Sequence, residues 1–116
     1  MHAINFYSEI YEHMLRAGRK CATIRLGDKS LKYHSGEVGW ITVGQRYGKR
    51  RKLFSAIIDS VVVKPAEALT PREIGYENPE LRTVDDVVGV LSSTYARLIS
   101  PEELVTVVRF SPIEEG

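Results

Sequence analysis

Apolar positions along the chain switch between helical and strand spacing, and the switches mark its elements. Ile4-Asn5-Phe6 is a short apolar opening of strand type. Ser8 suits the N-cap of a helix running to about Arg16. Ile10, Met14 and Leu15, with Tyr7 and Tyr11, give that helix an apolar face. Gly18 follows where a helix end needs a residue tolerant of positive φ. Cys21 to Arg25 alternates like a strand. Leu26 to Ser35 is polar and reads as a loop, with a short strand at Leu31–Tyr33. Gly36-Glu37 is a turn and Val38 to Val43 a strand. Gln45 to Arg51 reads as a hairpin tip, turned by Gly44 and Gly48. The long run from Leu53 to about Val63, rich in Ile and Val, is a strand that Pro65 closes. A short helix begins at Thr70-Pro71, with proline just inside the start, and Asn78-Pro79 breaks it. Thr83 caps the next helix, with Asp85 and Asp86 in its first turn. Val84, Val87, Val88, Leu91 and Tyr95 then recur at helical spacing. Ser100-Pro101 turns the chain into a last strand at Leu104–Phe110, and the tail is acidic.

The order of helix, several strands, helices and a final strand predicts an α+β domain with a small, curled, mostly antiparallel sheet. Closing that sheet into a barrel would remove its exposed edges. The chain has 116 residues, 43% of them hydrophobic, enough for one core and too few for two ordinary domains. Repeats, low-complexity tracts and linkers are absent from the sequence, so residues 1–116 read as a single domain. No apolar run is long enough to span a bilayer, and the N-terminus lacks the layout of a signal peptide. The single cysteine, Cys21, excludes an internal disulfide and fits a reducing compartment. A cytoplasmic protein with no membrane partner is expected.

Charge changes the picture. Net charge is +1, yet residues 1–64 carry 12 Lys and Arg against 5 Asp and Glu, and residues 65–116 carry 4 against 10. Such asymmetry hints at an anionic partner for the basic half. Within that half, Gly18-Arg19-Lys20-Cys21-Ala22-Thr23-Ile24-Arg25 sets two cations at a turn before a strand. On a regular strand Cys21, Thr23 and Arg25 share a face, and Lys20 at the strand's mouth can swing toward it. An amine, a hydroxyl and a guanidinium would then converge. The competing reading is a surface cation cluster behind a helix C-cap, which the helix dipole also favours. The tip, with Arg46, Lys49, Arg50, Arg51 and Lys52 around Tyr47, can track a nucleic-acid backbone while Tyr47 stacks on a base. Equally, it can be a solvated hairpin end whose charges blunt aggregation.

Other candidate chemistry is thin. His2, His13 and His34 show no metal-ligand spacing, so no metal site is expected, and no glycine-rich phosphate loop or other cofactor motif is present. Cys21 reads as a packed strand residue, since no histidine is paired with it. Trp40 shares a strand with Val38, Ile41 and Val43, whose apolar face reads as core, although a tryptophan at a barrel mouth can stack on a base.

Gly18-Arg19-Lys20, the spacing to Thr23, and Arg25 resemble the signature of the ASCH domain, a relative of the PUA domain. Met14-Leu15-Arg16 before it, Lys32 to Val43 after it, the helix ending at Tyr95 and the final strand at Leu104–Phe110 extend the resemblance over about residues 4 to 111. The resemblance implies a small PUA-like β-barrel of about five or six strands flanked by two or three helices. It also implies an RNA- or nucleoside-binding cleft with Lys20, Thr23, Arg25 and Glu80, with Gly18 and Arg19 contributing beside it. Small members of this family include bacterial amidohydrolases that release the acyl group from N4-acetylcytidine. In that alternative Thr23 is the nucleophile, Lys20 the base and Glu80 the acid. Aligning back from Tyr95 through Thr83 puts Glu80 at the acidic position, and Glu77, followed by Asn78, is its rival. Cys21 and Ala22 depart from the small residues of those enzymes, and the hairpin tip is more basic.

Overall fold

The computed structural model describes residues 2–45 and 47–114. Among these residues five strands and three α-helices follow in chain order: β1 (Ala3–Phe6), α1 (Glu12–Arg16), β2 (Ala22–Leu26), β3 (Val38–Gly44), β4 (Arg50–Pro65), α2 (Pro71–Glu77), α3 (Val84–Tyr95) and β5 (Leu104–Pro112). The strands form one sheet in the order β1-β3-β4-β5-β2. β1 runs parallel to β3, and the other three pairings are antiparallel. The α+β class and the curled, mostly antiparallel sheet agree with the expectation from the sequence.

The curl originates in β4. Its first half, Arg50 to Ile57, pairs with β3, while Ala56 to Pro65 pairs with β5. Register shifts interrupt the first ladder at Ile41/Thr42 and the second at Ile58/Ser60, and a bulge bends a strand and tightens its twist. The result is a half-barrel whose two edge strands, β1 and β2, face one another. Arg25 of β2 donates from its guanidinium to the Asn5 carbonyl of β1 at 2.9 Å, across the seam.

Two core clusters fill the fold. One gathers Ile4, Phe6, Leu15, Tyr33, Ile41, Val43, Leu53, Ala56, Ile58, Val108 and Phe110. The other packs Ile24, Ala66, Leu69, Val105 and Val107 beneath Ile74 of α2 and Val87 and Leu91 of α3. β5 serves both, because alternate residues face opposite sides of a strand. This two-sided burial explains its nearly unbroken apolar run.

Local chemistry sets the element ends. Thr70 and Thr83 each accept a hydrogen bond from the amide three residues on, and Glu73 and Asp86 return the bond to the capping residue, so both helices begin in capping boxes. α1 ends in a Schellman motif: Gly18 N–H reaches Leu15 carbonyl and Arg19 N–H reaches Met14 carbonyl. Gly18 has φ +74° there. Gly44 has φ +152°, and a Cβ on it would lie 2.3 Å from the Lys49 carbonyl oxygen.

Three expectations need correction. The predicted helix from Ser8 to Arg16 is split: Glu9–Tyr11 is a 3₁₀ turn and only Glu12–Arg16 is α-helical. In the tighter turn Tyr11 meets Phe6 edge-on, ring centroids 6.4 Å apart. The predicted strand at Leu31–Tyr33 is a turn, because the amides of Lys32 and Tyr33 both reach back to the Lys29 carbonyl. Trp40 and Val38 lie on the outer face of β3, with Lys52 over the indole at 5.3 Å, while Ile41 and Val43 are buried. Among the described residues no helix is long and apolar enough to cross a membrane, and no group of three or more His, Cys, Asp or Glu is placed to hold a metal ion.

Left-handed backbone costs a non-glycine residue about 1–2 kcal/mol. Gly18→Ala, with open space around the added methyl, is therefore expected to lose about that much stability in urea unfolding. Gly44→Ala adds a backbone clash and is expected to lose more. Equal, negligible losses at both sites would contradict the backbone described.

Candidate functional site

A cleft of about 230 Å³ opens at the seam between the edge strands. β1 and the residues after it supply Asn5, Phe6, Tyr7, Ser8 and Tyr11. β2 and the residue two before it supply Lys20, Thr23, Ile24 and Arg25. α2 supplies Glu77, and α3 covers one side with Val90, Leu91, Thr94 and Tyr95. The helix–turn–strand order around Gly18 puts Lys20 at the mouth of β2. The strand pleat then sends Thr23 and Arg25 to one face, where Arg25 Nε donates to Thr23 Oγ1 at 2.8 Å.

Lys20 is only 1% exposed. Its ammonium donates to Glu77 Oε1 at 2.6 Å and to the Glu77 main-chain carbonyl. It also lies 4.9 Å from the Phe6 ring centroid and 5.0 Å from that of Tyr11, contacts that favour a cation. Burial pushes the amine below its usual pKa, and the Glu77 carboxylate opposes that shift. The second oxygen of Glu77 accepts the Ile24 N–H at 2.6 Å. Burial first, then Glu77 and Glu80, raise the Tyr11 phenol above its usual value.

Lys20, Thr23 and Arg25 therefore meet in one cleft. The acidic residue that meets them is Glu77. Glu80 is exposed and does not line the cleft, so the expected placement of Glu80 beside Lys20 is corrected. The reason is the end of α2: Glu77 is its last residue, and the chain has turned away through Asn78-Pro79 before Glu80, whose amide bonds the Asn78 side chain. Gly18 and Arg19 form the helix stop and lie outside the cleft wall. Burial raises the Cys21 thiol pKa, partly offset by Arg109, which disfavours a reactive thiolate.

The basic tip is less uniform than its sequence. Arg46 lies outside the described residues. Tyr47 is 91% exposed with φ 65°. Arg51 is committed to Glu12 and, at 3.4 Å, to Glu9, and with Arg16 it holds the Glu12 carboxyl at about 2. Arg50 is exposed at the start of β4. Lys49 lines a separate depression that also contains Glu9.

Sequence reasoning missed Asn5, Tyr7 and Tyr95 as wall residues. Asn5 fixes β1 to the neighbouring hairpin: its amide donates to the Gly44 carbonyl at 3.0 Å, and its Oδ1 accepts from Thr42 Oγ1 at 2.8 Å. A polar residue inside the apolar opening Ile4-Asn5-Phe6 was the available signal. Tyr7 and Tyr95, 46% and 42% exposed, stand at the mouth.

Breaking a buried ion pair by removing one partner costs about 3–5 kcal/mol. The Glu77 side chain is 19% exposed, which moves the expected cost toward the lower figure. Glu77→Gln is expected to lower the urea midpoint sharply, since it strands a buried ammonium. Lys20→Met with Glu77→Gln is expected to recover part of the loss, and Glu80→Gln to change stability by less than about 0.5 kcal/mol. Equal effects at Glu77 and Glu80 would contradict the assignment.

No sequence-family model matches the chain, and no curated protein matches it in sequence. Solved structures do match in shape. The ASCH domain from Lactobacillus crispatus JV V101 is similar with a TM-score of 0.69 at 12% identity, over 96% of this chain and 79% of that one. Protein EF3133 from Enterococcus faecalis V583, described with DUF984, is similar with a TM-score of 0.70 at 13% identity, over 97% and 80%. Hypothetical protein PH0355 gives a TM-score of 0.67 at 19% identity, over 97% and 100%. At these identities the shared property is architecture, and that architecture is the ASCH-domain fold.

Proposed function

We propose that the cleft binds a single nucleobase, carried by a nucleoside or by RNA. The observation that carries this reading is the make-up of one small wall. A hydroxyl (Thr23), a guanidinium (Arg25), an ammonium (Lys20) and a carboxylate (Glu77) converge between aromatic side chains. Donors and an acceptor set among rings suit a planar heterocycle. The cleft is also smaller than the roughly 300–1,000 Å³ of drug-sized sites, which fits one base better than a larger ligand. Not every ring is available. The Phe6 and Tyr11 rings carry Lys20, and Arg25 lies 5.7 Å from Phe6 and 6.0 Å from Tyr7. Among the described residues Tyr95 has no ring or cation contact, which leaves it as the stacking platform.

A second reading, amide hydrolysis of N4-acetylcytidine, draws on the proximity of Lys20 and Thr23 and on the burial that lowers the Lys20 pKa. Thr23 would attack the acyl carbonyl while Lys20 takes its proton, Glu77, in place of Glu80, would relay that proton as the acid to the leaving cytosine amine, and water would then release the acyl group from Thr23. Binding ranks ahead of hydrolysis because the Glu77 carboxylate and the Phe6 and Tyr11 rings beside Lys20 favour its charged form. An ammonium has no lone pair with which to accept the threonine proton.

Titration calorimetry with the four common ribonucleosides and N4-acetylcytidine at low salt is expected to show binding of at least one. Tyr95→Ala should weaken it by roughly 1–3 kcal/mol, the value of a base–aromatic stack, and Tyr95→Phe should retain it. Absence of binding by every nucleoside and by short single-stranded RNA would sink the reading. Release of cytidine from N4-acetylcytidine, abolished by Thr23→Ala, would replace it with the hydrolase.

A further inference from the structure

The cleft does not end at Arg25. A second cavity, about 260 Å³, continues from it and shares Tyr7, Arg25, Thr94 and Tyr95 as common wall. Its remaining lining residues are Lys29, Lys32 and Tyr33. The wall thus holds three cations and no carboxylate. Elsewhere among the described residues Arg16, Lys20, Arg51, Lys64 and Arg97 each have an acidic partner, while Arg19, Lys49, Arg50, Arg72, Arg82 and Arg109 form no ion pair but are not gathered in one cavity wall. Among the described residues Arg25, Lys29 and Lys32 form no ion pair. Lys32 instead lies 5.3 Å from the Tyr33 ring centroid.

The loop that carries the two lysines is anchored at both ends. The Lys29 N–H donates to Thr106 Oγ1 at 2.8 Å, and that fully buried threonine donates in turn to the Gly27 carbonyl at 2.7 Å. At the other end Tyr33 is buried in the first core cluster, and its N–H returns to the Lys29 carbonyl at 3.1 Å. Lys29 and Lys32 are exposed and Arg25 is half-buried, so all three can be reached from solvent through a wall that holds no competing carboxylate. Lysine and arginine at a concave, pre-formed surface suit the tetrahedral oxygens of a phosphoryl group.

We propose that Lys29 and Lys32, with Arg25 shared between the two cavities, form a phosphate subsite. The ligand is then a phosphorylated nucleotide rather than a free nucleoside, with its base in the first cleft and its phosphate over the loop. This inference rests on the reading of the first cleft as a base site. The shared chemistry is one nucleoside bearing a phosphate, whether as a mononucleotide or as a unit of a single strand.

The test compares each ribonucleoside with its 3′- and 5′-monophosphates and with a tetranucleotide of the same base, by calorimetry at several salt concentrations. For the base that binds, a monophosphate or the tetranucleotide is expected to bind about tenfold or more tightly than the nucleoside, as one charge-assisted hydrogen bond supplies. In the variant Lys29→Gln with Lys32→Gln that advantage should disappear, and the slope of affinity against salt should fall by roughly one for each phosphate no longer held. An advantage shown in full by a monophosphate identifies a mononucleotide ligand. An advantage seen only with the tetranucleotide, and abolished in the variant, identifies a strand. Equal binding of nucleoside and phosphorylated forms overturns the phosphate subsite and leaves the base cleft standing. So does an advantage that survives in the variant. Failure of every nucleoside, nucleotide and tetranucleotide to bind overturns both readings.

Discussion

The carboxylate of Glu77 is the group on which the rest of this arrangement depends. β2 is an edge strand, bonded to β5 on one side only. Its other side would present unpaired amides, and the C-terminal end of α2 would present unpaired carbonyls. The two deficits are matched. The Cys21 N–H donates to the Tyr76 carbonyl at 2.9 Å, the Ile24 N–H to Glu77 Oε2, and the Lys20 ammonium to the Glu77 carbonyl and Oε1. A cation at a helix C-terminus is favoured by the helix dipole as well as by the carboxylate. The α2 end therefore closes the strand edge and neutralises a lysine that burial alone would disfavour.

That closure also shapes the cleft. With β2 covered by α2, the seam toward β1 is bridged by Arg25 and Asn5, and the space beside the bridge is walled by groups already fixed by their own hydrogen bonds. Pre-fixed donors lower the ordering cost of binding. The charge asymmetry of the sequence takes on a different meaning in the fold. β5, from the acidic half, runs between β4 and β2 of the basic half, and Glu77 pairs with Lys20 across the division. The halves interleave, so the positive surface is local. One part of it lies at Arg25, Lys29 and Lys32, in a cavity wall without a carboxylate, and another at the hairpin, where Arg51 is held by Glu12 but Lys49 and Arg50 form no ion pair among the described residues.

Much of the fold was legible because its signals are local. Thr70-Pro71 and Thr83 cap their helices through their own side chains, and Gly18 stops α1 through its own backbone. Val84, Val87, Val88 and Leu91 face the core through helical periodicity. What was missed depends on neighbours distant in sequence. The parallel pairing of β1 with β3 has no local mark. Leu31–Tyr33 alternates like a strand, but Tyr33 is drawn into the core by residues the sequence does not place beside it. For the site, Lys20, Thr23 and Arg25 were legible from one strand's pleat. The choice between Glu77 and Glu80 turned on where α2 stops, and a shift of three residues across Asn78-Pro79 separates a cleft residue from an exposed one. By helical spacing Tyr95 belongs to an apolar helix face, and only its position over the β1–β2 seam gives it a wall of the cleft.

Amide hydrogen exchange at Ile24, followed by NMR in the unmutated protein and in Glu77→Ala, tests the account most directly. The Ile24 amide is expected to be protected in the unmutated protein and to lose that protection in Glu77→Ala, while the amides pairing β4 with β5 remain slow. An Ile24 amide that exchanges as fast as an unpaired edge amide in the unmutated protein, or that stays equally protected without Glu77, would contradict the account.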